Sequence, residues 1–179
     1  MKEIETLDSR VVYQNKWMTV REDKIRRASG ADGIYGVVDK PDFVAILPID
    51  NGFIHLVQQY RYPVGGRYWE LPQGSWEENP TADNYTVAKA ELREETGLIA
   101  GQISHIGHIY QAYGHSNQGF NLFYATALEH TEQQLDHEEE DLITAKFPVT
   151  EFESMITSGT IKDATTISAY GYARLKGVV

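Results

Sequence analysis

Three glutamates near the middle of the chain, Glu91, Glu94 and Glu95, stand at positions i, i+3 and i+4. In a helix those positions are neighbours and span roughly a 100° arc of one face, so the three carboxylates can converge on one point. Lys89 and Arg93 project to the opposite side of the same wheel, away from the acidic arc. Like charges at this spacing cost a helix about 0.2–0.5 kcal/mol per pair, a penalty that a bound divalent cation would reverse. Oxygen ligands with no Cys or His among them favour magnesium or manganese over zinc. The plainer alternative is a solvated acidic face, which is common in a chain with 26 Asp and Glu against 16 Lys and Arg.

These acids need a helix and a cleft to be useful. Tyr85, Ala88 and Leu92 form an adjoining, mostly apolar stripe that would seat the helix on a core and aim the acids along its edge. Ahead of it, Glu70-Leu71-Pro72-Gln73-Gly74 leads an apolar and aromatic run into a Pro and Gly turn, and Gly97 supplies a C-terminal stop. The pattern predicts a helix over about 82–96 beside a Gly loop. Upstream, residues 10–14, 18–28 and 34–39 read as strands, with the turn-rich stretch Ser29-Gly30-Ala31-Asp32-Gly33 between the last two. Residues 43–49 and 53–60 flank Asp50-Asn51-Gly52, a hairpin signal. Further strands are expected at 101–111, 119–127 and 141–147. Thr150 and Glu153 form a capping box opening a helix to about 158, and Asp163 begins the last one.

A chain of 179 residues can bury one substantial core. It contains no Cys, which excludes disulfides and thiol catalysis. Met1-Lys2-Glu3-Ile4-Glu5 is not an apolar leader, and no run approaches the ~18–20 apolar residues of a membrane span, so a soluble cytoplasmic protein without a membrane partner is expected. The net charge of −10 argues against nucleic acid as a partner. A small anionic substrate would need cations supplied locally.

The Glu-Leu-Pro-x-Gly lead-in and the Glu91–Leu98 segment together resemble the Nudix hydrolase family. The family box runs Gly, five residues, Glu, seven residues, then Arg-Glu-aliphatic-x-Glu-Glu-x-Gly-aliphatic, and its second half matches here. Ala90 stands in place of the family arginine, Ala82 falls where the first glutamate is expected, and Gly74 lies two residues upstream of the consensus glycine. Asp83 is a candidate substitute for the missing glutamate; an insertion in the loop is the alternative. The resemblance implies an α+β Nudix fold, an α/β/α sandwich with mixed central sheets, preceded by a small N-terminal antiparallel sheet. Residues 1–40 would be a strand-rich dimerisation segment and 41–179 the Nudix hydrolase domain. The opening strands, the Gln58-Gln59-Tyr60-Arg61-Tyr62-Pro63 run and the Gly159-Thr160-Ile161-Lys162-Asp163-Ala164 segment look like the ADP-ribose pyrophosphatase and nucleoside diphosphate sugar group. Members of that group commonly form homodimers whose sites take residues from both subunits.

The activity so implied is metal-dependent hydrolysis of a pyrophosphate bond in a nucleoside diphosphate linked to another moiety. By resemblance, Glu91, Glu94 and Glu95 hold Mg2+, with Mn2+ as the alternative, and the Gly74 carbonyl is a fourth ligand. The catalytic base would come from the acidic stretch after the box, with Glu139 favoured and Glu138 and Glu140 beside it. Arg61 is the best cation for a substrate phosphate, because a guanidinium grips phosphate oxygens in pairs; the plainer reading is a surface residue paired with a carboxylate. Trp17, Tyr68 and Trp69 are candidates to stack on a nucleobase, although strand aromatics are more often core or dimer contacts. His115 is a weaker, loop-borne candidate. ADP-ribose or a nucleotide sugar ranks first as substrate. Tyr113, sixteen residues beyond Gly97, stands where ADP-ribose hydrolases often carry proline and where tyrosine is associated with dinucleoside polyphosphate hydrolases, which rank second. A non-catalytic nucleotide-binding sensor is the third reading, motivated by Ala90 and opposed by the retention of three mutually repelling acids.

Overall fold

The computed structural model describes residues 3–76, 79, 81–135 and 139–179. Among them the strands are β1 (Ile4–Gln14), β2 (Thr19–Arg27), β3 (Asp32–Asp39), β4 (Phe43–Asp50), β5 (Phe53–Arg61), β6 (Gly66–Glu70), β7 (Gln73–Gly74), β8 (Leu98–Tyr110), β9 (Gly119–His130) and β10 (Ile143–Pro148). The helices are α1 (Asn84–Thr96), α2 (Val149–Thr157) and α3 (Ala164–Leu175), with a short 3-10 turn at Tyr62–Val64.

The hairpin expected at Asp50-Asn51-Gly52 forms, with Asn51 and Gly52 at φ of 50° and 80°. Two consecutive left-handed residues match the twist of the strands they join. The two strands then part: β4 and β5 pair only through Ile49 with Ile54 and Asp50 with Phe53. Beyond that point β5 continues between β10 and β6, while β4 lies parallel to β9, which pairs in turn with β8. The edge of β4 released by β5 is taken by the Pro72 loop. Ile46 N donates to Pro72 O at 2.9 Å, and β7 adds antiparallel pairs between Gly74 and Val44 and between Gln73 and Ala45.

Alternation along β4 divides the core between two layers. Val44 and Ile46 pack with Phe123, Ala125 and the Val87, Ala88 and Leu92 face of α1. Ala45, Leu47 and Leu122 pack on the other side with Phe152 of α2 and Ala169, Tyr170 and Ala173 of α3. The result is the expected α/β/α sandwich around a mixed sheet, with β1-β2-β3 as a separate antiparallel sheet. Val38 at the end of β3 fastens that sheet to the 111–118 loop: its N–H donates to His115 O at 2.8 Å and its carbonyl accepts from Asn117 N at 3.3 Å. No described helix is long and apolar enough to cross a membrane.

One local expectation is corrected. Thr150 and Glu153 do not form a capping box, because Pro148 pairs with Phe53 and carries β10 directly into α2, leaving Thr150 inside the first turn. Glu153 instead accepts the Tyr170 hydroxyl at 2.6 Å.

Candidate active site

The parting of β4 and β5 opens a cleft of about 1270 Å³. Directly paired strand residues share a face, so Gln59 opposite Tyr68, with Arg61 and Glu70 on the same alternation, forms one wall. The C-terminal half of α1 supplies Glu91, Glu94 and Glu95 opposite the Gln73–Trp76 loop. Glu139, Lys40 and the N-terminal end of α3 at Lys162 and Asp163 complete the lining used below.

Each acid is held by its surroundings. Glu95 is 1% exposed; its Oε2 accepts the Gln73 amide at 3.1 Å, and its Oε1 is buried without a hydrogen-bond partner. Burial pushes its carboxyl well above the usual range, and the nearby charges of Glu91, Glu139 and Glu70 push in the same direction. Glu91 lies against Gly74 so closely that a Cβ there would stand 2.5 Å from the carboxyl carbon. A side chain at position 74 would displace the Glu91 carboxylate from this position. Glu70 is also buried; desolvation raises its pKa and the Arg61 guanidinium opposes that rise. Arg61 Nη2 approaches Glu70 Oε1 at 2.7 Å and Nε donates to Oε2 at 3.2 Å.

The donor set fits a hard divalent cation: oxygens only, an orphaned buried carboxylate oxygen on Glu95, and a glycine cradle for Glu91. Among the described residues, however, no three Asp, Glu or His side chains gather into a complete ligand set. Glu91 rests on Gly74 while Glu95 turns to the Gln73 amide, and mutual repulsion opposes any closer approach.

The cleft brings together Gly74, Glu91, Glu94, Glu95, Glu139 and Arg61 from the sequence-derived set. Glu139 is placed by the turn that follows it: Leu142 is buried, its amide donates to Glu139 O at 2.9 Å, and Asp141 is ion-paired with Arg67. Glu140 is exposed and does not line the cleft, and Glu138 lies outside the described residues. Trp69 does not line the cleft. Strand alternation turns it away from Tyr68 and Glu70, and its ring packs edge-on against Phe147 at 5.1 Å. Trp17 also stays off the cleft lining, 40% exposed in the β1–β2 turn beneath the Lys16 ammonium at 4.2 Å. Tyr68 does line the cleft. Tyr113, 84% exposed, and the exposed His115 do not.

Ala82 packs against the α1-side core, and Asp83 caps α1, its Oδ2 accepting from Thr86 N at 3.0 Å. Asp83 is thus occupied in starting the helix and does not line the cleft. Sequence reasoning missed Glu70 and the lysines Lys16, Lys40 and Lys162. Glu70 was within reach of period-two alternation, since it shares a strand face with Tyr68. The lysines come from three separate segments, and no local pattern joins them.

Comparison with known proteins agrees with this architecture. The model of the NUDIX domain matches residues 40–170, and that of the nucleoside diphosphate sugar hydrolase N-terminal domain matches residues 4–38. An ADP-ribose pyrophosphatase of Mycobacterium tuberculosis is 31% identical over 93% of this chain and 81% of its own length. An ADP-ribose pyrophosphatase of Bacillus subtilis is 26% identical over 98% of this chain and 96% of its own. The crystal structure of an ADP compounds hydrolase superposes with a TM-score of 0.86, covering 99% of this chain and 96% of that one at 21% identity, which supports the fold alone. With the NUDIX model spanning most of the chain and the mycobacterial relative matched over nearly all of it, this chain belongs to the Nudix hydrolase family and resembles its ADP-ribose pyrophosphatase group.

Proposed function

We propose that the cleft hydrolyses the pyrophosphate bond of ADP-ribose or a related nucleotide sugar, giving a nucleoside monophosphate and a sugar phosphate. The observation that carries this reading is the buried, partly unpartnered Glu95 carboxylate, grouped with Glu91 on Gly74 and with Glu139 across the cleft. Glu91, Glu94, Glu95 and the Gly74 carbonyl would hold magnesium, or manganese in its place. When bound, the ion supplies Lewis-acid polarisation of the phosphoryl centre and neutralises pyrophosphate charge. Glu139 accepts the proton of the attacking water. Arg61, braced by Glu70, together with Lys40 and Lys162, offsets the remaining substrate charge in a chain of net −10.

A homodimer and a cytoplasmic setting go with this reading. β1 is an edge strand, exposed along its whole length, and it carries Ile4, Leu7, Val11, Val12 and Tyr13 at 43–59% exposure. An exposed apolar edge of that kind invites a second copy, and light scattering on the purified chain would read the mass directly.

The test of function is product analysis after incubation with magnesium and ADP-ribose, other nucleotide sugars, dinucleoside polyphosphates or nucleoside triphosphates. AMP and ribose 5-phosphate in equal amounts from ADP-ribose are expected. Turnover confined to dinucleoside polyphosphates would overturn the substrate, and no turnover of any member would overturn the activity. Glu139→Gln should lower kcat by about 10²–10⁴-fold, the usual worth of a general base; an unchanged kcat would remove Glu139 from that role.

A further inference from the structure

The N-terminal end of α3 reaches the loop that presents Gly74 through a single hydroxyl. Thr166 is fully buried. Its Oγ1 donates to Asp163 Oδ2 at 2.7 Å and accepts from the Leu71 amide at 2.9 Å. A hydroxyl has one donor and two acceptor sites, so both bonds are made at once. Asp163 Oδ2 also takes the Thr166 amide at 2.7 Å, which fixes the carboxylate that orients the hydroxyl.

Leu71 falls between β6 and β7, where the strand ladder gives its amide no partner. Two residues later the Gln73 amide donates to Glu95 Oε2, and Gly74 then packs on Glu91. From the opposite side the Ile46 amide holds Pro72 O. The loop is thus pinned by β4, by Glu95 and by Thr166. Removing the hydroxyl would leave a buried amide unsatisfied and release one pin.

We propose that Thr166, oriented by Asp163, is a positioning residue for the metal site: its hydroxyl sets the Leu71–Gly74 segment where Gln73 and Gly74 meet Glu95 and Glu91. The inference rests on the metal-dependent reading above.

Thr166→Val keeps the side chain's shape without its hydroxyl, and Thr166→Ser keeps the hydroxyl. With Mn2+ as probe, the electron paramagnetic resonance signal of the free ion reports binding to the full chain independently of turnover. Thr166→Val should weaken Mn2+ binding and lower kcat for ADP-ribose by about 10–100-fold, as expected when a group that orients metal ligands is lost. KM should change little, and Thr166→Ser should recover most of the loss. Thr86→Val, which alters the matching bond at the exposed start of α1, should leave both readouts at wild-type values. Should the valine variant not fold, Thr166→Ala removes the hydroxyl without placing a methyl against Asp163 and carries the same expectation. Wild-type Mn2+ affinity in a folded hydroxyl-deleted variant would overturn the proposal, as would equal losses in the serine and valine variants. No Mn2+ binding by the wild-type chain would overturn the metal reading itself, a result distinguishable from either.

Discussion

Helices α1 and α3 begin with the same local device and approach the cleft from opposite ends. Asp83 accepts from Thr86 N and Oγ1 at 3.0 and 3.1 Å; Asp163 accepts from Thr166 N and Oγ1, both at 2.7 Å. Each pair satisfies an otherwise unbonded amide of the first turn. At α1 both residues are exposed and the bonds start a helix whose other end carries the acids. At α3 the threonine is buried and its hydroxyl extends to Leu71, so the cap also becomes part of the cleft wall. Identical side chains at identical spacing therefore differ in consequence through burial alone.

Substitutions at the two ends of each helix sharpen this contrast. The largest effect belongs to the cleft end of α1. Glu95→Gln should reduce kcat by more than the about 10–100-fold assigned to an orienting partner, because it alters a proposed ligand itself. The same change should stabilise the chelated protein. Burial, then Glu91, Glu139 and Glu70, raise the Glu95 pKa, so the protonated acid is favoured in the fold. The stability it contributes is intact below the ordinary value of 4.5 and is lost as pH rises through the raised one. Removing that loss should lift the thermal midpoint at neutral pH. A lower midpoint in chelator would contradict the burial argument.

Next comes the cleft end of α3, where the hydroxyl of Thr166 carries the 10–100-fold effect described above. Deeper in α3, Tyr170→Phe removes the bond to Glu153 and should cost about 1–2 kcal/mol by chemical denaturation, with wild-type turnover. Burial and then Glu153 raise the Tyr170 hydroxyl from 10.0 to about 12. Its contribution is present below pH 10 and lost as pH rises through 12, so the wild type should destabilise more steeply than the variant across that window. Smallest is Thr86→Val at the exposed end of α1, about 0.5 kcal/mol with activity untouched. A catalytic defect there would erase the distinction between the two caps.

Much of this was legible in residue order because it depends on short-range rules. The Asn51-Gly52 hairpin, the Gly97 stop and the apolar face of α1 follow from φ preference and helical period, and the acidic arc follows from the same period. Arg61 and Glu91 could be nominated for the cleft on side-chain chemistry, and Glu139 through the resemblance to the ADP-ribose pyrophosphatase group. What was not legible depended on neighbours in space. Trp69 was separated from Tyr68 by strand alternation once β6 paired with β5, and Thr150 lost its cap to a strand that runs straight into the helix. Lys16, Lys40 and Lys162 converge only after the N-terminal sheet, the β3–β4 junction and the start of α3 have packed.

The most direct measurement is AMP and ribose 5-phosphate formation from ADP-ribose by the wild type and Glu95→Gln across a range of magnesium concentrations, with chelator as the zero point. The expected result is equimolar products that rise with magnesium in the wild type and stay near background in the variant. Equal turnover by both proteins, or full wild-type turnover in chelator, would contradict the assignment of the α1 carboxylates to a metal-dependent pyrophosphatase site.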